Sequence, residues 1–207
     1  MEAIVKRLID KKSLDLAKSI LESHGYTVSK RVDEAYKDEY VKVANSTSRS
    51  AGMSAIDKDG NIRSVTAKYI MDNINKDASI LDFGAGKSAI QAQALKEKGF
   101  TNVTAYDFGS NTREGLHDPD ALSRTYDVVF ASNVINVSSD EEMIRDTLED
   151  MWGAVRSGGI LVFNYPSRPR KAGLSTRELH DIVVDELGQI PKVVASTNST
   201  PVWRIDK

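Results

Sequence analysis

The sequence predicts an α/β fold: a three-layer sandwich whose mostly parallel sheet ends in an antiparallel hairpin, preceded by a helical N-terminal extension. Three observations carry this. From Ser64 onward, short apolar runs alternate with stretches of helical periodicity, the pattern of parallel strands joined by right-handed crossovers. Val128-Val129-Phe130-Ala131 is continuously apolar, as in a strand covered on both faces. The last two runs, Lys192 to Ser196 and Val202 to Ile205, are linked only by a turn of Asn198, Ser199 and Thr200. So short a link forces an antiparallel pair, because a parallel pair needs a crossover.

Each element follows from local signals. Residues 1 to about 44 read as helical, with Ile4, Leu8 and Ile9, then Leu14, Ala17, Ile20 and Leu21 at helical spacing. Ser13 is a fitting N-cap there and Gly25 a fitting stop. Asn45 to Ser54 is polar and small, and reads as a loop. Asp57-Lys58-Asp59-Gly60-Asn61 faintly resembles a calcium loop, but its third acidic ligand is missing and Lys68 stands where the closing Glu belongs. A tight turn at Asp59-Gly60 is the simpler reading. Ser64 caps a helix carrying Ala67, Ile70, Met71 and Ile74. Ala78 to Phe83 is a buried strand, followed by a helix from about Lys87 to Lys98 that stops at Gly99. Asn102 to Phe108 and Tyr126 to Ser132 are the next strands. A capping box, Ser138-x-x-Glu141 or Ser139-x-x-Glu142, opens a helix with Ile144, Leu148, Met151 or Trp152, and Val155 as its buried stripe. Gly158-Gly159 ends that helix, Ile160 to Asn164 is a strand, and Thr176 to Leu187 is a helix. The organisation is an extension or lid over 1–55 and a cofactor-binding domain over 56–207.

Composition narrows the function classes. The 207 residues are 40% hydrophobic and 28% charged, an ordinary balance for a globular chain. No apolar run approaches the length that spans a bilayer, and MEAIVKRLIDKK breaks its apolar stretch with charges, unlike a secretory signal. A cytoplasmic protein without a membrane partner is expected, so the three Asn-x-Ser/Thr sites at Asn45, Asn136 and Asn198 are expected to be idle. Cysteine is absent, which removes disulfides, thiolate metal sites and thiol nucleophiles. No metal is expected. A net charge of -2 gives no global case for nucleic acid, though it leaves a local patch open.

The sharpest signal is Ile80-Leu81-Asp82-Phe83-Gly84-Ala85-Gly86-Lys87-Ser88. It ends the first core strand and opens a helix, where ligands bind in open α/β sheets. Glycines at 84 and 86 allow a tight turn and close approach to a ligand. Asp107 follows at the end of the second strand, where an acid can accept hydrogen bonds from both hydroxyls of a ribose. Gly86-Lys87-Ser88 resembles the tail of a phosphate-binding P-loop, but Leu81 stands where that motif has its first glycine. A dinucleotide fingerprint is nearer, since Ala89 is tolerable at its last place. Against it, Asp82 would face a pyrophosphate, whereas an acid there suits a cofactor with a positive amino group.

Residues 78–207 resemble the class I S-adenosylmethionine-dependent methyltransferases. ILDFGAGKS is similar to their acid-x-G-x-G first motif, VTAYDFG places Asp107 at their ribose-binding acid, YDVVFASNV is similar to their fourth motif, and SGGILVFNYP to a later strand. HDPDAL, SNVINV and NYPSRPRK also look like small phage-encoded members. The resemblance implies a Rossmann-like, seven-stranded or reduced sheet, with S-adenosylmethionine as cofactor and methyl transfer as activity. It places Asp82, Phe83, Gly84, Ala85 and Gly86 at the methionine part of the cofactor, Asp107 at the ribose and Phe108 beside the adenine. Asp118 approaches the adenine amino group on this scheme, and Ser132 and Asn133 lie near the sulfonium and the incoming acceptor. Two departures stand out. Ser88 replaces a third glycine, which is tolerable if the helix starts early. The stretch between Asp107 and Asp127 is too short for the usual helix, strand and helix, so 109–125 must be abbreviated.

Displacement on an activated sulfonium needs alignment and shielding more than a catalytic cluster. The candidates for a catalytic role are Asn133, His117 and Tyr165; His24 and His180 read as surface or packing residues. Ser132-Asn133-Val134-Ile135 stands where base-methylating enzymes carry N/D-P-P-Y/F/W, so base flipping lacks its usual mark. Arg168, Arg170 and Lys171, in a proline-stiffened loop after a core strand, are the candidate groups for an anionic acceptor. That acceptor is an unidentified small molecule or nucleic acid, taken by a monomer or homodimer. A nicotinamide-dependent oxidoreductase and a non-catalytic cofactor-binding module are the alternatives.

Overall fold

The computed structural model describes residues 62–138, 140–166, 173–197 and 200–207. The helical extension and lid over 1–55, the turn at Asp59-Gly60, Ser139, the loop cations and the link at Asn198-Ser199 lie outside the described residues.

The sequence alternation becomes a six-stranded sheet among the described residues. Its elements in chain order are α1 (Val65–Asn73), β1 (Ser79–Phe83), α2 (Ile90–Glu97), β2 (Asn102–Tyr106), β3 (Tyr126–Ala131), α3 (Glu141–Ala154), β4 (Val155–Asn164), α4 (Thr176–Leu187), β5 (Lys192–Thr197) and β6 (Thr200–Asp206). Strand order is β2-β1-β3-β4-β6-β5. The first four strands run parallel, and β6 pairs antiparallel with both β4 and β5. The antiparallel finish expected from the short link is therefore present. The order reverses between β1 and β3, and such a switch point leaves a crevice at the carboxyl ends of the strands.

Two apolar clusters cover the sheet faces. One gathers Leu81, Val129, Ile144, Leu148, Phe163 and Leu179 under α3 and α4. The other gathers Ile70, Ile80, Leu95, Phe130 and Val162 under α1 and α2. Alternating strand residues feed opposite faces, as the pleat requires. At the amino edge of the sheet, Asp127 Oδ2 accepts from Ser79 N (2.7 Å) and Ser79 Oγ (2.6 Å) and also pairs with Arg156. The hydrogen bonds from Ser79 are the main reason its carboxyl lies below the usual range.

Several boundaries differ from expectation, each for a local reason. Helix α2 begins at Ile90 rather than near Lys87, because Ala89 adopts φ 42° and closes the preceding loop. The capping box expected at Ser138 or Ser139 is replaced by Asp140, whose carboxylate accepts from Met143 N at 2.9 Å. Ser175 and Glu178 form a reciprocal capping box on α4 that the sequence pattern did not single out. Gly158 and Gly159 do not end a helix; they sit inside β4 at a register shift against β3. A Cβ on Gly159 would lie 2.8 Å from the Asp127 carbonyl oxygen, so close strand approach explains that glycine. The 109–125 stretch is abbreviated as expected: among the described residues it forms only short 3₁₀ turns at Gly109–Asn111 and Ala121–Ser123. Among the described residues the sheet has six strands, the reduced form of the seven-stranded arrangement.

Candidate active site at the switch point

Asp82, the Gly84–Gly86 turn, Asp107 and Ser132-Asn133 lie at the carboxyl ends of the adjacent strands β1, β2 and β3. Gly84 and Gly86 both have φ +71°, a backbone region costly for residues with a Cβ. A Cβ at Gly84 would come within 2.6 Å of Val134 Cγ2, whereas one at Gly86 would meet nothing within 4 Å. The turn is thus packed on one side and open at Gly86.

Asp107 pins this turn. Its Oδ2 accepts from Gly86 N (2.7 Å), and its Oδ1 accepts from Phe108 N (2.9 Å) and Asn111 Nδ2 (3.2 Å). A carboxylate offers about four lone-pair positions, so a further donor can still be accommodated. Asn111 completes the arrangement. Its Oδ1 is buried and has no hydrogen-bond partner among the described residues. Buried orphan acceptors are rare and point to a missing donor. Nothing in the sequence singled out Asn111, because its relation to Asp107 depends on the abbreviated loop.

Asp82 is placed differently from expectation. It is 1% exposed, and its Oδ2 accepts from Ala92 N at 3.1 Å in the first turn of α2. Ala89 has no side-chain acceptor, so the strand acid caps the helix from a distance. Burial lifts its carboxyl to about 8; the Ala92 bond pulls it down and nearby Asp107 pushes it up. Asp82 is therefore buried against the first turn of α2. Its orientation no longer separates a methionine cofactor from a dinucleotide.

His117 is buried beside the same turn. Its Nδ1 accepts from Arg113 N (3.0 Å), which leaves the proton on Nε2 to donate to the Gly86 carbonyl (2.9 Å). With both ring nitrogens held by backbone, His117 is a clamp on the loop, and the arrangement opposes the catalytic role considered for it. Tyr165 is also withdrawn from catalysis: its ring is wholly buried and its hydroxyl donates to the Leu174 carbonyl at 3.0 Å. Burial raises that phenol to about 12. Asp118 lies beside β2 through its backbone, but its carboxylate pairs with Arg124 and accepts from Asp120 N at 2.9 Å. An adenine contact by that carboxylate is not supported. Phe108 is half-buried, with its ring 6.3 Å from that of Tyr106.

At the end of β3, Ser132 Oγ lies 2.9 Å from the Oγ of Ser64, the cap of α1. Asn133 is exposed and adopts φ 58°. Its N–H donates to Asn164 Oδ1 (2.7 Å), and its Oδ1 accepts from Asn164 Nδ2 (2.8 Å). Asn164, at the end of β4, is 6% exposed. The sequence reading ends the strand Ile160 to Asn164 at this residue. Arg168, Arg170 and Lys171 lie outside the described residues. Among the described residues there is no cluster of three or more His, Asp or Glu able to hold a metal, and no helix long and apolar enough to cross a membrane.

Fold and site together define a nucleoside-cofactor domain with a methyltransferase-like first motif. The chain belongs to the methyltransferase domain family, whose profile matches residues 59–195. No curated protein matches the sequence. Solved structures share the fold. A TehB-like SAM-dependent methyltransferase from Corynebacterium glutamicum superposes with a TM-score of 0.55 at 17% identity, covering 84% of this chain and 98% of that one. The N-methyltransferase NodS from Bradyrhizobium japonicum, solved with S-adenosyl-L-homocysteine, gives 0.54 at 15% identity, covering 82% and 98%. An O-methyltransferase family protein from Burkholderia thailandensis gives 0.51 at 15% identity, covering 67% of this chain and 54% of that one. The sheet is thus the one that S-adenosylmethionine-dependent methyltransferases share. Because O- and N-methyltransferases match alike, the fold does not choose an acceptor.

Proposed function

We propose that the chain transfers a methyl group from S-adenosylmethionine to oxygen or nitrogen of an anionic acceptor, a small molecule or a nucleic acid. The observation that carries the cofactor assignment is the acceptor pair at the end of β2. Asp107 is held with its carboxylate against the glycine turn, and Asn111 Oδ1 is buried beside it without a donor. Two ribose hydroxyls are donors that fit this pair, and satisfying the orphaned oxygen adds to affinity. Phe108 offers an apolar flank for an adenine. The open side of Gly86 gives room for the methionine portion.

The bound cofactor would supply a methyl carbon already activated by its sulfonium. The chain's own residues align the partners and exclude water, which is where an enzyme of this kind gains its rate. Asp107 and His117 hold the glycine turn rigid from its N–H and its carbonyl, while Ser132 and Asn133 border the acceptor side. Arg168, Arg170 and Lys171 follow β4 in sequence and supply positive charge for an anionic acceptor.

Calorimetric titration tests the reading. S-adenosylmethionine and S-adenosylhomocysteine bind and NAD does not; Asp107→Ala weakens binding by about tenfold or more. Binding of NAD alone overturns the assignment. Cofactor binding without transfer of a labelled methyl to any acceptor favours a non-catalytic binding module.

A further inference from the structure

We infer that His117 makes cofactor binding sensitive to acid, because only a neutral imidazole fits between the glycine turn and the loop after β2. The inference rests on the reading that this turn receives S-adenosylmethionine. Two backbone groups whose roles cannot change carry the argument. Arg113 N can only donate, and it lies 3.0 Å from Nδ1, so Nδ1 is the acceptor of the ring. The Gly86 carbonyl can only accept, and it lies 2.9 Å from Nε2, so Nε2 carries the single proton of the ring. Each contact alone fixes the tautomer, and the two agree. Together they leave no place for a second proton.

A second proton turns Nδ1 into a donor that faces the donor of Arg113. The ring is 6% exposed, and a buried donor without an acceptor is costly. Relief requires the ring or the 113–117 turn to move. That turn is closed a second time by His117 N, which donates to the Arg113 carbonyl at 3.0 Å, so the ring is the freer part. Its departure leaves the Gly86 carbonyl with Ala89 N, at 3.1 Å, as its remaining donor. Gly86 is also the residue that Asp107 grips by its N–H, and its open side is where the methionine portion is proposed to lie. The hold on the ligand is therefore full while the ring is neutral and is lost as pH falls.

The charged groups around the ring do not reverse this sign. On its own loop, Arg113 turns its guanidinium to the Thr112 carbonyl, Glu114 is exposed, and Asp118 pairs with Arg124. On the glycine turn, Lys87 is exposed. Asp82 changes little in acid, since burial lifts its carboxyl to about 8. Asp107, across Gly86, attracts a charged ring. Its oxygens are engaged by Gly86 N, Phe108 N and Asn111 Nδ2, whereas the donor facing Nδ1 is in direct contact with the ring. His117 is thus a positioning residue that acts through Gly86 and responds to pH.

The test measures S-adenosylhomocysteine affinity of the full chain by calorimetry from pH 7.5 down to about pH 5, which brackets ordinary imidazole titration. The charge and tautomer of the ring are read from its nitrogen signals by NMR in the same buffers. This ligand has an uncharged sulfur, so a fall in affinity reports the loop and not repulsion between two cations. The neutral ring should show its proton on Nε2, and affinity should fall about tenfold as the ring becomes charged. His117→Gln keeps a donor and an acceptor but does not titrate, and should lose that part of the response; any pH dependence it shares with the wild type belongs to other groups. If the variant does not fold, the wild type decides alone, by whether ring charging and affinity loss coincide. A proton on Nδ1 of the neutral ring, affinity retained by a charged ring, or equal pH profiles in wild type and variant each overturn the inference while cofactor binding stands. No binding at any pH removes the cofactor reading and this inference with it.

Discussion

Replacing Asp82 with Asn should change how stability depends on pH, and the structure sets both sign and size. Asp82 is 1% exposed and burial lifts its carboxyl from 3.8 to about 8. A carboxyl raised on folding favours the folded state most below its unfolded value. That contribution is lost as pH rises towards 8, because the unfolded chain ionises freely while the folded one resists. Between pH 5 and pH 7 the wild type should lose about 2–3 kcal/mol relative to Asp82→Asn, at 1.36 kcal/mol per pH unit. The asparagine oxygen can still accept from Ala92 N. Its new N–H groups add a penalty that does not vary with pH, so it drops out of the slope. Urea unfolding followed by circular dichroism at pH 5, 6 and 7, without cofactor, measures the gap. A gap constant across this range, or one moving in the opposite direction, would refute the burial argument.

Other perturbations probe separate parts of the structure. His117→Ala removes the partner of both the Gly86 carbonyl and Arg113 N; it should cost about 1–3 kcal/mol in urea unfolding and weaken S-adenosylmethionine binding more than its fold loss explains. Asn111→Ala removes the orphaned oxygen and should lower cofactor affinity roughly fivefold to tenfold by calorimetry, whereas an unchanged affinity would take Asn111 out of the ribose site. Gly159→Ala forces a Cβ against the Asp127 carbonyl at 2.8 Å and should cost about 1–3 kcal/mol in thermal unfolding. Asp127→Ala leaves Ser79 N without its acceptor and should cost about 1–2 kcal/mol; because the native carboxyl is lowered, the wild-type advantage should fade as pH drops through the acid range.

Much of the sheet was legible because its central strands are buried on both faces. Val128 to Ala131 could be read without knowing any neighbour, and the link near Asn198 is too short for anything but an antiparallel return. The start of α2 was not legible, since Lys87, Ser88 and Ala89 are compatible with helix and only the positive φ of Ala89 interrupts it. Gly158-Gly159 looked like a helix stop because the pattern does not reveal that Val155 already pairs with Tyr126. The site shows the same division. Asp82, Gly84, Gly86 and Asp107 announced themselves by residue type and spacing on one strand-turn-helix unit. The Asn133–Asn164 contact spans 31 residues and two strands, so strand register alone creates it. Asn111 depends on a turn whose short form could be inferred but not drawn. Tyr165 and Asp118 were misjudged because chain position said nothing of which way their side chains turn.

The placement of β6 also governs the order in which the sheet can assemble. Strand β5 reaches the sheet only through β6, which lies between it and β4. Residues 192–197 pair only with residues 200–206, so the two join the sheet as one hairpin that docks on β4. The parallel strands that form the candidate site can pair without them. Until that hairpin docks, β4 is an open edge with backbone groups unpaired on one side. The hairpin is a closing piece, and its arrival ends the interval in which that edge is exposed to other chains.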